Sequence, residues 1–176
     1  RSADRVTLYF GKTKHTWKLM VLSHKPTDDA KNNAGELLRR DEVKIYWAVP
    51  WDEKTTSISK KGEFWNYFPM KTEMRLSGIL NAPWKTSDDR QKLLEGNFNG
   101  ELIEIFSKHL ASNLSKIIHE KDPALYLDIL PPRVEESKTW EDRLLNKRIY
   151  ENVAQQPCVP DMNGKLQLLS DIKIFP

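Results

Sequence analysis

The chain is expected to be an α+β protein: a mixed sheet of about five strands packed on one face by a long helix, with a small helical and hairpin appendage at the C-terminal end. Three observations carry this expectation. Short runs rich in β-branched and aromatic residues crowd the first 81 positions. From Glu101 to Lys121, Leu102, Ile103, Phe106, Leu110, Leu114, Ile117 and Ile118 recur at spacings of three and four, the stripe of an amphipathic helix. Near the end, Met162-Asn163-Gly164-Lys165 carries the Asn-Gly signal of a hairpin turn. Strands followed by helices in separate blocks favour α+β layering.

Arg5 to Phe10 reads as a strand, Gly11 to Lys14 as a turn, and His15 to Leu22 as the returning strand, with Trp17, Leu19 and Val21 on one face. Pro26 to Asp41 is polar, with a short helix near Ala34 to Arg40 or a mobile excursion in its place. Val43 to Val49 alternates clearly and ends at Pro50. Trp51 to Gly62 is a charged loop, Glu63 to Phe68 an aromatic strand, and Pro69 to Arg75 a connector. Leu76 to Leu80 is read as a buried strand. Asn81, Ala82 and Pro83 break it, Lys85 to Ser87 form a polar loop, and Asp88 to Gln91 open a helix. Gly96 to Gly100 is a loop with two asparagines suited to capping the long helix, which Asp122-Pro123 stops. Ala124 to Leu130 is a candidate short helix. Lys138 to Gln155 is a second amphipathic helix, with Trp140, Leu144, Ile149 and Val153 inward, and Ile172 to Phe175 is a last candidate strand. Pro131-Pro132 is the expected boundary between a main domain, residues 1–131, and an appendage, residues 132–176.

Composition narrows the function classes. The chain has 176 residues, 39% of them hydrophobic, enough for one ordinary core. A net charge of +3 permits a phosphate-bearing partner without arguing for one. No apolar run approaches the length of a membrane span. The single cysteine, Cys158, rules out an intrachain disulfide and makes a reducing, cytoplasmic setting the default. The start lacks an initiator Met and a signal segment, so the chain is expected to be a fragment of something longer. The four histidines have no ligand-like spacing, and no metal site is expected. Phosphate-loop, dinucleotide-binding and nucleophile-elbow motifs do not occur.

Two surfaces remain as candidates. The strand-loop-helix Leu76–Gln91 could present backbone N–H groups, Lys85 and Arg90 to a phosphate. Phe64, Trp65, Tyr67 and Phe68, beside Lys54, Lys60, Lys61, Lys71, Arg75 and Lys85, could be a stacking platform for nucleic acid. The competing reading of those aromatics is a core strand. A structural or protein-interaction domain is the third reading, with Pro26–Asp41 or the C-terminal hairpin as its contact.

Leu80-Asn81-Ala82-Pro83-Trp84-Lys85-Thr86-Ser87-Asp88-Asp89-Arg90-Gln91, with Leu93-Leu94, Asn99 and Glu101-Leu102-Ile103, resembles the segment that follows the nucleotide-binding domain in GHKL-type ATPases. The resemblance is strongest to sacsin-like proteins and related bacterial ATP-binding proteins, and extends to the middle domain of the ninety-kilodalton heat-shock chaperone. It covers residues 43–115 and continues loosely through Leu125-Tyr126, Leu130-Pro131, Trp140 and Pro157 to Gly164. It implies a transducer-type sandwich that couples nucleotide state to a DNA or protein client. It further implies that Arg90 reaches the γ-phosphate of ATP, with Lys85 as a second phosphate contact and Gln91 positioning water. The chain departs from the chaperone by carrying Asp-Asp-Arg-Gln in place of Ser-Arg-Glu, and in Pro83-Trp84. A GHKL site needs a helix bearing Glu-x-x-x-Asn and an Asp-x-Gly-x-Gly loop. The chain is read as having neither, so the resemblance places ATP and Mg in a domain upstream of Arg1.

Overall fold

A computed structural model describes residues 4–51, 62–117, 123–132 and 137–172. Among these, eight strands and three α-helices run in the order β1 (Arg5–Phe10), β2 (Thr13–His24), α1 (Asp28–Asn32), β3 (Val43–Pro50), β4 (Gly62–Asn66), β5 (Phe68–Met74), β6 (Ile79–Asn81), α2 (Asn97–Ser112), α3 (Trp140–Val153), β7 (Val159–Pro160) and β8 (Leu166–Gln167). Six of the strands form one mixed sheet, ordered β1-β2-β3-β6-β4-β5. All neighbours are antiparallel except β4 and β6, which run parallel with Trp65 opposite Asn81. β7 and β8 form the small hairpin, in which Asp161 accepts N–H groups from Asn163 and Lys165 at 2.8 and 2.9 Å.

The alternation of β3 sets the layers. Val43, Ile45, Trp47 and Val49 are buried, while Lys44 is exposed and Tyr46 half-buried on the opposite face. The buried face meets α2: Trp47 stands edge-on to Phe106, with ring centroids 6.2 Å apart. On α2, Leu102, Ile103, Phe106 and Leu110 point into the core, and Leu145, Ile149 and Val153 of α3 join the same cluster. The α+β class and the helix-covered sheet are thus as expected from sequence, with six strands in the sheet where about five were expected.

Several elements differ from expectation. Residues 69–74, read as a connector, are a strand in which Met70, Thr72 and Met74 alternate inward. Of the expected strand Leu76–Leu80, only Ile79 and Leu80 lie in β6; Gly78 takes φ +99°, which breaks the extended run. There the backbone is too crowded for any side chain, since a Cβ on Gly78 would lie 2.3 Å from the Ala48 carbonyl oxygen. The long helix starts at Asn97 and ends at Ser112, passing into a 3₁₀ turn over Leu114–Ile117. Residues 97–100 are therefore its first turn rather than a capping loop, and Gly96 is the N-cap, without a side-chain cap. The Pro26–Asp41 segment holds α1, capped by Thr27, and a 3₁₀ helix at Gly35–Arg39. The expected strand at Ile172–Phe175 and the far end of the long helix fall largely outside the described residues.

Candidate functional site

The stretch from Lys85 to Leu94 is a tight loop, not the start of a helix. Thr86 bridges Leu93, the Leu94 N–H donates to the Lys85 carbonyl at 3.0 Å, and the Ser87 N–H to that of Lys92 at 3.0 Å. At the tip, the Ser87 hydroxyl donates to Asp89 at 2.5 Å, and the Asp89 carboxylate accepts the Gln91 N–H at 3.1 Å. These short polar side chains hydrogen-bond the nearby backbone and divert it from a helix. The same bonds, that from Ser87 foremost, hold the exposed Asp89 carboxyl below its usual range.

Arg90 is at the apex. It is exposed and has φ +56°, a left-handed conformation that costs a non-glycine residue about 1–2 kcal/mol. Among the described residues nothing pairs with its guanidinium. It does not stand in the first turn of a helix, because α2 begins seven positions later, at Asn97. Lys85 is committed elsewhere: its ammonium donates to the Asn33 carbonyl. Gln91 is half-buried beside the apex, and its backbone N–H is the one bound by Asp89. The structure thus brings Arg90 and Gln91 together on one loop tip and turns Lys85 toward the Pro26–Asp41 segment.

Asn99 is the fastener that sequence reasoning missed. It is buried in the first turn of α2, accepts the Lys85 N–H at 2.9 Å, and donates its amide to the Lys85 and Leu94 carbonyls, both at 2.7 Å. All three polar groups at the loop's base are thereby satisfied by one side chain. Glu95-x-x-x-Asn99 does have the Glu-x-x-x-Asn spacing, but Glu95 precedes the helix and Asn99 is spent on the loop, so the pair cannot serve as the GHKL nucleotide motif.

The aromatic platform divides. Phe64 is core, edge-on to Trp84 at 5.6 Å, and Trp65 is half-buried. Tyr67 and Phe68 are 59% and 74% exposed. Of the accompanying cations, Arg75 is drawn inward to Asp142, which also accepts its backbone N–H at 3.0 Å. Lys71 is exposed, and Lys54, Lys60 and Lys61 lie outside the described residues. Tyr67 is itself unusual: it is the single residue between β4 and β5, at φ +63°. The Asn81 side chain accepts its N–H at 2.9 Å, and Arg40 donates to its hydroxyl at 3.1 Å.

Cys158 is buried, and burial raises its thiol pKa, so it is poorly suited to act as a nucleophile. Among the described residues no group of His, Cys, Asp and Glu is arranged to hold a metal ion, and no helix is long and apolar enough to cross a membrane. No protein-family model matches the chain, and no curated protein or solved structure matches it either.

Proposed function

We propose that the chain is the coupling, or transducer, domain of a GHKL-type ATPase, working in the cytoplasm on a DNA or protein client. In this reading ATP and Mg are held by another domain of a longer polypeptide, and Arg90 supplies a cation to the γ-phosphate. The observation that carries it is the loop apex: an exposed guanidinium, unpaired among the described residues, held in a costly backbone conformation on a loop fastened at its base by Asn99. Backbone strain of this kind persists only where the surroundings impose it, and it gathers at functional positions.

Mg-bound ATP would bring the transferable phosphoryl group. Arg90 would donate N–H groups to charge developing on its oxygens, a contribution that begins only as the reaction proceeds. Gln91, next to it on the tip, would orient the attacking water. Lys85 would reach a phosphate only after leaving Asn33. Because Asn99 lies in α2, displacement of the tip pulls directly on the helix that covers the sheet, which is a physical route from nucleotide state to the rest of the molecule.

The test is turnover in the longer polypeptide. Arg90→Ala is expected to lower ATP hydrolysis by about 10³-fold or more, in line with other arginine fingers, while ATP affinity changes little. Arg90→Gly, which relieves the positive φ, should lose turnover equally and so separates chemistry from folding. Wild-type turnover in either variant overturns the proposal, as does a preceding sequence without a GHKL nucleotide motif.

A further inference from the structure

A cavity of about 260 Å³ lies on the sheet face away from the helices, at the carboxyl ends of the parallel strands β4 and β6. Arg40, Glu42, Lys44, Tyr46, Tyr67 and Asn81 line it. Open sheets tend to bind ligands at the carboxyl ends of parallel strands. We propose that this cavity binds a nucleotide unit, an aromatic base carrying a phosphate, independently of Arg90.

Three features point to that chemistry. First, the lining is rich in unused donors. Among the described residues Arg40 spends one N–H on Tyr67, leaving four of its five. Among the described residues the Lys44 ammonium and the Asn81 amide N–H groups have no partner, since Asn81 uses its oxygen on Tyr67. An acceptor-rich anion answers such a set, and arginine beside lysine suits a phosphate. Second, Tyr46 and Tyr67 add two aromatic rings to the wall, the side-chain type on which bases stack. Glu42 adds an acceptor for the exocyclic amine of a base. Third, the position of Tyr67 is costly for a tyrosine. A one-residue connection at φ +63° suits glycine or asparagine, yet a tyrosine stands there, held by Asn81 from one side and Arg40 from the other. Both holding residues are themselves lining residues, so the strained ring is built into the cavity wall.

The experiment titrates the purified chain with AMP, adenosine, ribose 5-phosphate and a single-stranded oligonucleotide, following backbone amide resonances. Saturable shifts at Lys44, Tyr67 and Asn81 are expected, with AMP or the oligonucleotide binding below about 1 mM. Adenosine and ribose 5-phosphate should each bind at least about tenfold more weakly than the whole unit, because each lacks half of the contacts. Tighter binding of AMP identifies a free nucleotide as the source of the unit; tighter binding of the oligonucleotide, with shifts at the same amides, identifies a single strand. Tyr67→Gly keeps the fold, because it relieves the positive φ, and should weaken binding at least about tenfold; Arg40→Gln should do the same. No saturable binding, equal binding of ribose 5-phosphate and AMP, or unchanged affinity in Tyr67→Gly overturns the proposal. Since the readout is binding to this chain alone, its failure leaves the Arg90 reading to be judged by turnover.

Discussion

At the residue scale, Asn99 shows how one buried amide organises a functional loop. Its side chain offers one acceptor and two donors, and the Lys85 N–H, Lys85 carbonyl and Leu94 carbonyl use all of them. Asn99 is 1% exposed, so water cannot easily substitute. Asn99→Asp keeps the shape but replaces both donations with a carboxylate facing two carbonyls. The expected result is a loss of about 2 kcal/mol or more, seen as a lower denaturant midpoint with an unchanged slope. This role was not legible in sequence, because an asparagine near a helix start reads as a cap. It becomes visible only once the loop is known to fold back on the helix. Tyr67 was hidden for a related reason: Asn66, the one turn-favouring residue from Phe64 to Phe68, is outweighed by four aromatics, so the run reads as one strand. The chain nevertheless reverses at the apex, where Asn81 and Arg40 hold it.

At the scale of elements, hydrophobic alternation made β3 and the core face of α2 readable, because burial on one side leaves a period in the sequence. It did not fix the bounds of β6, since of the apolar run Leu76–Leu80 only Ile79 and Leu80 lie in the strand, and it did not reveal the loop at 85–94, whose Asp88-Asp89-Arg90-Gln91 imitates a helix start. Long-range polar fasteners leave no period either, and the junction of α1 with α2 is one of them. Glu101 of α2 accepts the Thr27 N–H at 2.9 Å, binds the Thr27 hydroxyl, and meets the His24 ring at 2.6 Å. Burial alone would raise the Glu101 pKa, but the hydrogen bonds from Thr27 and His24 outweigh it and hold the carboxyl below its ordinary range. A depressed carboxylate pKa adds stability that is present above the unfolded-state value and is lost as pH falls through the folded-state value. The melting-temperature advantage of the wild type over Glu101→Gln should therefore be steady near neutrality and shrink as pH drops below the ordinary glutamate range. A gap that stays constant through that window would show that the ionised carboxylate is not what ties α1 to α2.

For the whole molecule, the question is whether α3 and the hairpin behave as an appendage or share the cooperativity of the sheet. The contacts of α3 reach several elements at once. Asp142 holds the Arg75 backbone at the end of β5, the Trp140 ring N–H reaches the Leu93 carbonyl at 3.4 Å, and the Tyr150 hydroxyl donates to the Pro131 carbonyl. Arg148 pairs with Glu104 of α2 at 2.8 Å, a bond that is partly exposed and contributes little by itself. The larger contribution is apolar. Leu145 and Ile149 are essentially inaccessible and belong to the same cluster as Trp47 and Phe106. Ile149→Ala removes buried methyl groups from that cluster, and a core truncation of this type costs about 2–5 kcal/mol. If α3 is part of the common core, heating the variant should give one transition at a lower temperature, coincident whether followed by tryptophan fluorescence or by backbone circular dichroism. If α3 is a separate unit, a small early transition should split off, leaving the main one unmoved. A shared transition would also bear on Arg90, because the loop that presents it is braced on one side by Asn99 of α2 and on the other by Trp140 of α3 at Leu93. Loosening α3 would then loosen the loop, and Ile149→Ala should reduce any activity that depends on Arg90 at temperatures well below its own unfolding.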